Sequence, residues 1–360
     1  MRNRGAAAPV RKFRIPVRSG RIQAEGINVG RDRASIKDVA RVAGVSVGTV
    51  SNVLNRPEFV SEPTRQRVLD AMNQLGFVRN ATARQLRAGH SQTVGVVVLD
   101  LANPFYTGIV RGIEDRLAED NHLLMLCSSD ENLDRETRYL RQFAEQGVRG
   151  ILITPFGDLS ERFDILTNLQ IPVVLLDTHS PDMACVSVDN VKGGRLAVAH
   201  LLERGHRRIA LFNGPLEIQQ CRDRSAGTAA AVYEAGLDPA EVVVEVPLGE
   251  LTSEAGAEAM AALLDSGQEP PTAVFCVNDI VALGVIRTLR ERDIQVPEQM
   301  AVVGYDDVPI IKELRTPLTS VRQPMHDIGW SAADLLLTGK TKQVRFSPEL
   351  VVRASSDYHR

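Results

Sequence analysis

Ile36-Lys-Asp-Val-Ala-Arg-Val-Ala-Gly-Val-Ser-Val-Gly-Thr-Val-Ser-Asn-Val-Leu-Asn55 is the stretch on which the reading of this chain turns. Just ahead of it, Ser35 and Asp38 have capping-box spacing. Ile36, Val39, Ala40 and Ala43 then recur at i, i+3, i+4 and i+7 until Gly44 stops the helix. A second helix opens at Ser46 and keeps Val50, Val53 and Leu54 on one side. Two short helices joined at Gly44-Val45-Ser46 have the layout of a helix-turn-helix. In that motif the first helix braces the DNA backbone and the first turn of the second enters the major groove. The outer face would carry Val47, Gly48, Thr49, Ser51 and Asn52, small groups able to read base edges and thymine methyls, while Ser46, Thr49 and Asn55 suit phosphate oxygens. On spacing alone an ordinary three-helix cap accounts for the pattern equally well.

Toward the C-terminus, a third helix is expected from Ser61, tolerating Pro63 in its first turn and burying Val68, Ala71, Met72 and Leu75 before Gly76. Toward the N-terminus, residues 1–34 are rich in Arg, Gly and Ala without period and read as a disordered basic arm. Residues 1–90 hold 17 Lys and Arg against 6 Asp and Glu, net +11, whereas residues 91–360 hold 25 against 39, net −14. The overall charge of −3 therefore conceals a basic end. A charge run usually does no more than solvate a face, so it supports nucleic-acid binding here only together with the helix-turn-helix spacing.

Beyond Thr93 the pattern changes to apolar strands alternating with longer helices. Val94–Leu99, Leu123–Cys127, Gly150–Ile153 and Val173–Leu176 read as buried parallel strands, with helical stretches at Ile109–Asp120 and Arg135–Gln146. A second series follows at Ile209–Phe212, Val242–Glu245, Ala273–Cys276 and Val302–Tyr305. Two doubly wound α/β lobes are expected, and in such lobes ligands bind just past the carboxyl ends of the strands. With 360 residues, 44% of them hydrophobic, the chain has material for more than one core.

The segment from residue 35 onward resembles the LacI/GalR family of bacterial repressors. The match continues through Asn55, Arg56, Val60, Ser61, Thr64 and Arg65 to Leu75-Gly-Phe77 and then Asn80-Ala-Thr-Ala-Arg-Gln-Leu-Arg-Ala-Gly89. It implies a helix-turn-helix domain over 35–79, a hinge helix and linker over 80–93, and an effector-binding and dimerisation domain over 94–360. The last divides into lobe 1 (about 94–188 with 325–346) and lobe 2 (about 189–321 with 347–360). DNA contacts are implied for Ser35, Ser46, Val47, Gly48, Thr49, Ser51, Asn52, Asn55 and, in the hinge, Ala83 and Leu86. The leucine matching Leu86 wedges into a central minor-groove step. So short a helix is unstable alone in water and should form only when two copies pack together on DNA. As a plain linker, the segment would leave Leu86 a stray apolar group in a polar tether.

The larger part resembles the periplasmic sugar-binding fold. The marks are Asn103-Pro-Phe-Tyr106, Asp189-Asn-Val-Lys-Gly-Gly194, Gly205-His-Arg-Arg-Ile-Ala210, Gly214-Pro215, Val277-Asn-Asp279 and Gly304-Tyr-Asp-Asp307. Some of these have plain structural work: Gly205 as a helix cap, His206 in a turn, Phe275, Cys276 and Val277 as strand core, and Asp189 and Asn190 at a crossover. The resemblance puts effector contacts at Asn103, Phe105, Tyr106, Asp177, Thr178, Arg224, Asn278, Asp306 and Gln323. Paired sugar hydroxyls donate to carboxylates and accept from Arg or Asn, and a C–H face lies on an aromatic ring. Phe105 and Tyr106 are equally suited to a core, but Asn103-Pro104 would set them in a post-strand loop. Thr178 stands where ribose binders have Arg, and Leu251 near where some members stack Trp or Phe, so pentose phosphates and purines are not supported.

The other classes fit less well. No apolar run reaches membrane-spanning length. Arg11, Lys12 and Phe13 hint at a twin-arginine signal, but Arg14, Arg18 and Arg21 follow where an apolar region belongs. An exported solute-binding protein would need that signal and would have no helix-turn-helix. No GxGxxG after a strand, Walker A loop, GxSxG or HExxH is present, so enzyme activity is not expected. Cys127, Cys185, Cys221 and Cys276 stand singly, which indicates neither zinc nor disulfides, suits a reducing cytoplasm, and leaves no metal or cofactor expected. The expected partners are a near-palindromic DNA operator, a sugar-like effector and a second copy of the chain, with no membrane.

Overall fold

A computed structural model describes residues 34–78, 91–157, 168 and 171–358. The basic arm up to residue 33, the domain boundary at residue 79 and the hinge with Ala83 and Leu86 lie outside the described residues. Those that are described fall in two compact units, residues 34–78 in one and those from 91 onward in the other.

The first unit is helical. Helix α1 (Ile36–Ala43) begins at a reciprocal box: Ser35 accepts from the Asp38 amide, and the Asp38 carboxylate accepts from the Ser35 amide at 3.0 Å. Hydrogen bonds from Ser35 and Arg41 hold the Asp38 carboxyl down at about 2. Gly44, at φ 64°, adopts the left-handed turn that lets the chain reverse into α2 (Val47–Asn55), whose N-cap Ser46 accepts from the Thr49 amide at 3.0 Å. A 3-10 turn (Pro57–Phe59) leads to α3 (Glu62–Leu75). The three helices enclose Val39, Ala40, Ala43, Val50, Val53, Val68, Ala71 and Met72, with Leu54 and Leu75 on the rim of this core rather than inside it.

The second unit holds two six-stranded sheets. One takes β1 (Thr93–Val98), β2 (Leu123–Ser128), β3 (Gly150–Ile153), β4 (Val173–Leu176), β5 (Cys185–Val188) and β11 (Gln343–Phe346), in the order β11-β5-β4-β3-β1-β2, all parallel. The other takes β6 (Ile209–Asn213), β7 (Val243–Pro247), β8 (Ala273–Cys276), β9 (Ala301–Asp306), β10 (Thr319–Arg322) and β12 (Glu349–Val351), ordered β12-β10-β9-β8-β6-β7. Only its edge pair β10/β12 is antiparallel. β2 departs from the expected buried run: as an edge strand paired only with β1 it leaves Leu123 65% and Met125 41% exposed.

Helices cover the sheets: α4 (Pro104–Glu119), α5 (Leu133–Glu145) and α11 (Met325–Thr338) on the first lobe, and α6 (Asn190–Glu203), α7 (Gln219–Glu234), the short α8 (Pro239–Val242), α9 (Ser253–Asp265) and α10 (Asp279–Glu291) on the second. Helices α6 and α7 pack backbone to backbone. A Cβ on Gly194 would stand 2.2 Å from the Arg224 carbonyl oxygen, and one on Gly227 2.0 Å from that of Val191. Only glycine permits this approach, which brings the backbone of Arg224 against α6.

Candidate functional site

Between the carboxyl ends of the two sheets lies a half-enclosed cleft. Arg224 lines it and is 5% exposed. Its Nε donates to Asn190 Oδ1 at 2.9 Å and its Nη1 to the Val277 carbonyl at 2.6 Å, while its guanidinium lies 3.6 Å from the centroid of the Tyr305 ring. The Tyr305 hydroxyl also donates to Asn190 Oδ1, at 3.0 Å. The cation is thus stacked and locked before any ligand arrives, the arrangement that lowers the cost of ordering a site on binding.

Two carboxylates face this cation. Asp306 ends β9 at φ 110°, and Asp177 follows β4 at φ 50°, left-handed geometry that L side chains adopt at a cost and that clusters at ligand sites. Burial pushes the Asp306 carboxyl up to about 7, partly offset by Arg224 and by Gln323, whose Nε2 donates to Asp306 Oδ1 at 2.7 Å. Burial likewise lifts Asp177 to about 6, opposed by Arg224 and by Gln220 Nε2, which donates to Asp177 Oδ2 at 3.0 Å. Among the described residues, Asp177 Oδ1 and Gln323 Oε1 are buried without a partner.

Asn103 and Asn278 each do two jobs. Asn103 Oδ1 caps α4 by accepting from the Phe105 amide at 3.0 Å, and Asn278 Oδ1 caps α10 by accepting from the Val281 amide at 2.8 Å. Both side chains line the cleft, and a hydrogen bond from Asn103 helps hold the Asp306 carboxyl down. Phe105 and Tyr106 also line it, but from the first turn of α4 rather than from a loop: Asn103 as N-cap and Pro104 at the first helical position start the helix earlier than expected. Their rings meet edge to face, centroids 5.1 Å apart, and both belong to the main core, so the core and pocket readings hold together.

Seven of the nine expected effector contacts therefore meet in one cleft. The other two sit behind it. Gln323 is buried against Asp306 without joining the lining, and Thr178, one residue past Asp177, is buried with its side chain off the lining. Sequence reasoning missed Leu99, Asp100, Glu131, Ile218, Gln220 and Cys221, which complete the lining with Leu251. It also missed the support given by Asn190 and Tyr305. Signals existed for two kinds of these: Asp100 and Glu131 follow strands β1 and β2, and Gln220 precedes Arg224 by four residues on one helix face.

The raised carboxyl of Asp306 gives a pH prediction. Its folded value lies above the ordinary 3.8, so the fold favours the protonated form and stability is lost as pH climbs from about 4 through about 7. Asp306→Asn removes that ionisation and is expected to raise the stability of the ligand-free protein more at pH 8 than at pH 4. Thermal unfolding at the two pH values checks this. Equal effects at both would contradict it.

In the helical unit, Ser46, Val47, Gly48, Asn52 and Asn55 of the expected DNA-facing set are exposed, Val47 by 42%, while Thr49 and Ser51 are half-buried. Ser46 and Thr49 hydroxyls meet at 2.9 Å, and Asn55 Nδ2 donates to the Ser51 carbonyl at 2.7 Å, so these polar groups brace α2 itself. Ser35 is exposed at the start of α1. Among the described residues no helix is long and apolar enough to cross a membrane, and no cluster of His, Cys, Asp or Glu could hold a metal.

A helix-turn-helix unit joined to a two-lobed ligand cleft defines a ligand-responsive DNA-binding transcription regulator, and known proteins agree. The description "Bacterial regulatory proteins, lacI family" matches residues 35–80, and "Periplasmic binding protein-like domain" matches residues 198–356. The chain is 32% identical over 333 residues to the HTH-type transcriptional repressor PurR of Aliivibrio salmonicida, covering 89% of this chain and 98% of that one. It is 34% identical over 340 residues to the ribose operon repressor of Escherichia coli K12, covering 90% and 100%. Among solved structures, the lac repressor dimer bound to operator and the anti-inducer ONPF superposes with a TM-score of 0.80 at 28% identity, over 90% of this chain and 99% of that one. The chain belongs to the LacI family, and is a DNA-binding regulator rather than an enzyme.

Proposed function

We propose that this protein is a cytoplasmic repressor that binds a near-palindromic operator as a homodimer and changes its operator affinity when a small sugar-like molecule occupies the cleft. The observation that carries the ligand half is the prearranged Arg224, flanked by Asp177, Asp306, Asn103 and Asn278 beside the Phe105 and Tyr106 rings. Carboxylates accept from sugar hydroxyls, the amides and guanidinium donate to them, and an aromatic ring takes the C–H face. The E. coli relative is named for the ribose operon, which agrees with this chemistry. Arg224 and Asp306 would meet the ligand from one lobe and Asn103 and Phe105 from the other, so binding closes the cleft. The proposed chain division is that read from the sequence, with the helix-turn-helix over 35–79 and the hinge over 80–93. A thermal-shift screen against neutral monosaccharides and disaccharides tests the ligand: saturation at 100 times Kd should stabilise the fold by ~2.7 kcal/mol. No shift from any sugar would overturn it.

The DNA half assigns base reading to the exposed turn of α2 and phosphate contacts to Ser35, Ser46, Thr49 and Asn55. Leu86 is assigned the minor-groove wedge. Leu86→Ala is expected to weaken operator binding by about tenfold or more and to reduce DNA bending, while binding to random duplex, driven by phosphate charge, stays nearly unchanged. Gel-shift titrations on both duplexes measure this, and an equal loss on both would contradict the wedge.

A further inference from the structure

We infer that the effector carries a positive charge, being an amine-bearing sugar or polyol rather than a neutral or phosphorylated one. This rests on the sugar-site reading above and narrows it by charge.

Among the described residues, the lining carries four carboxylates, Asp100, Glu131, Asp177 and Asp306, against one cation, Arg224, and neither Lys nor His. That cation is already engaged on Asn190, on the Val277 carbonyl and on the Tyr305 face. It lowers the carboxyls of both Asp177 and Asp306, yet burial still holds them up, to about 6 and about 7, so the cleft keeps its carboxylates ionised only at a cost that a second cation would relieve. Asp177 is 2% exposed, and its Oδ1 has no partner among the described residues, so a buried acceptor on the cleft wall lacks the donor that burial normally demands. On the first lobe, Glu131 has its carboxyl pushed up by burial and by the like charges of Asp100 and Glu250.

A neutral sugar would fill hydrogen-bond positions here and leave the excess charge as it stands. A phosphate would add to it, because like charges in a desolvated site oppose each other strongly. An ammonium group does the opposite: it offers three donors, supplies Asp177 Oδ1 with a partner and relieves the repulsion among the carboxylates in one contact. The remaining hydroxyls would be read by Asn103, Asn278 and Arg224.

The test uses the full-length protein at pH 7 and matched sugar sets: glucosamine, N-acetylglucosamine, glucose and glucose 6-phosphate, with the corresponding galactose and mannose sets. Thermal shift ranks them and titration calorimetry gives Kd. At least one free amine is expected to bind about tenfold or more tighter than its neutral parent. Its N-acetyl form, similar in shape but uncharged, should lose that gain, and the phosphate should give no shift. Glu131→Gln should narrow the gap between amine and neutral parent. A neutral parent binding as tightly as its amine, or no response from any amine while neutral sugars respond, overturns the charge inference and leaves the sugar site standing. No response from any sugar of any charge overturns both.

Discussion

Arg224→Met is expected to abolish the response to effector while leaving operator affinity within a few-fold of wild type. The substitution keeps an unbranched chain of similar reach but removes the donors to Asn190 and Val277 and the stack on Tyr305. It also strips Asp177 and Asp306 of the one opposite charge that lowers both carboxyls, so both shift further toward the protonated form. Truncating one member of a buried, hydrogen-bonded charge cluster costs roughly 2–5 kcal/mol of binding, or about 30-fold to several thousandfold in Kd. Calorimetry with the sugar giving the largest thermal shift measures the loss. Met at this position avoids the cavity an Ala would leave, and the unfolding temperature of the ligand-free variant separates lost binding from lost folding. A variant that binds that sugar as tightly as wild type would place the site elsewhere.

The second large effect concerns DNA. The pair Val47→Ala and Asn52→Ala removes two exposed side chains from the first turns of α2 without touching Val50 or Val53, which hold the helix to its core. Lost base contacts cost ~1–3 kcal/mol each, so operator affinity is expected to fall on the order of a hundredfold or more. Affinity for random duplex should hardly change, because it is set by phosphate charge. Parallel titrations at one fixed salt concentration compare the two duplexes. Unchanged discrimination would remove α2 from base readout.

Much of this was legible in the residues. The capping box at Ser35 and Asp38, the left-handed Gly44 and the N-cap Ser46 are local chemistry, and local chemistry fixed α1 and α2 closely. The strands β3, β4 and β8 are continuous apolar runs, and the limits read from the sequence are those observed. Strands such as β10, Thr319-Ser-Val-Arg322, and β11, Gln343-Val-Arg-Phe346, gave no such signal: each interrupts its apolar residues with polar ones, and β11 closes a sheet edge. They exist because a neighbouring strand offers pairing, which is tertiary information.

The site divides the same way. Asn103, Asp177, Asn278 and Asp306 stand at strand ends or helix caps, positions that sequence period marks out. Tyr305 looked like strand core, and it is core. Its second task, presenting a ring face to a cation 81 positions earlier in the chain and a hydroxyl to Asn190, depends on how α6 and α7 meet and leaves no trace in the local pattern. The misplacement of Phe105 and Tyr106 has a similar source: Asn-Pro reads as a turn, and here it is also a helix start.

Regulation through the cleft is tested most directly by fluorescence anisotropy of an operator duplex, recovered by selection from random sequence, titrated with protein in the absence and the presence of saturating effector. Ligand and operator must be coupled, with a typical coupling of ~1–3 kcal/mol, so operator Kd should change about 5- to 150-fold. Linkage makes the coupling reciprocal: calorimetry should show effector Kd changing by the same factor when operator is bound. An operator Kd that stays the same while calorimetry shows the effector fully bound would mean that the cleft does not control DNA binding.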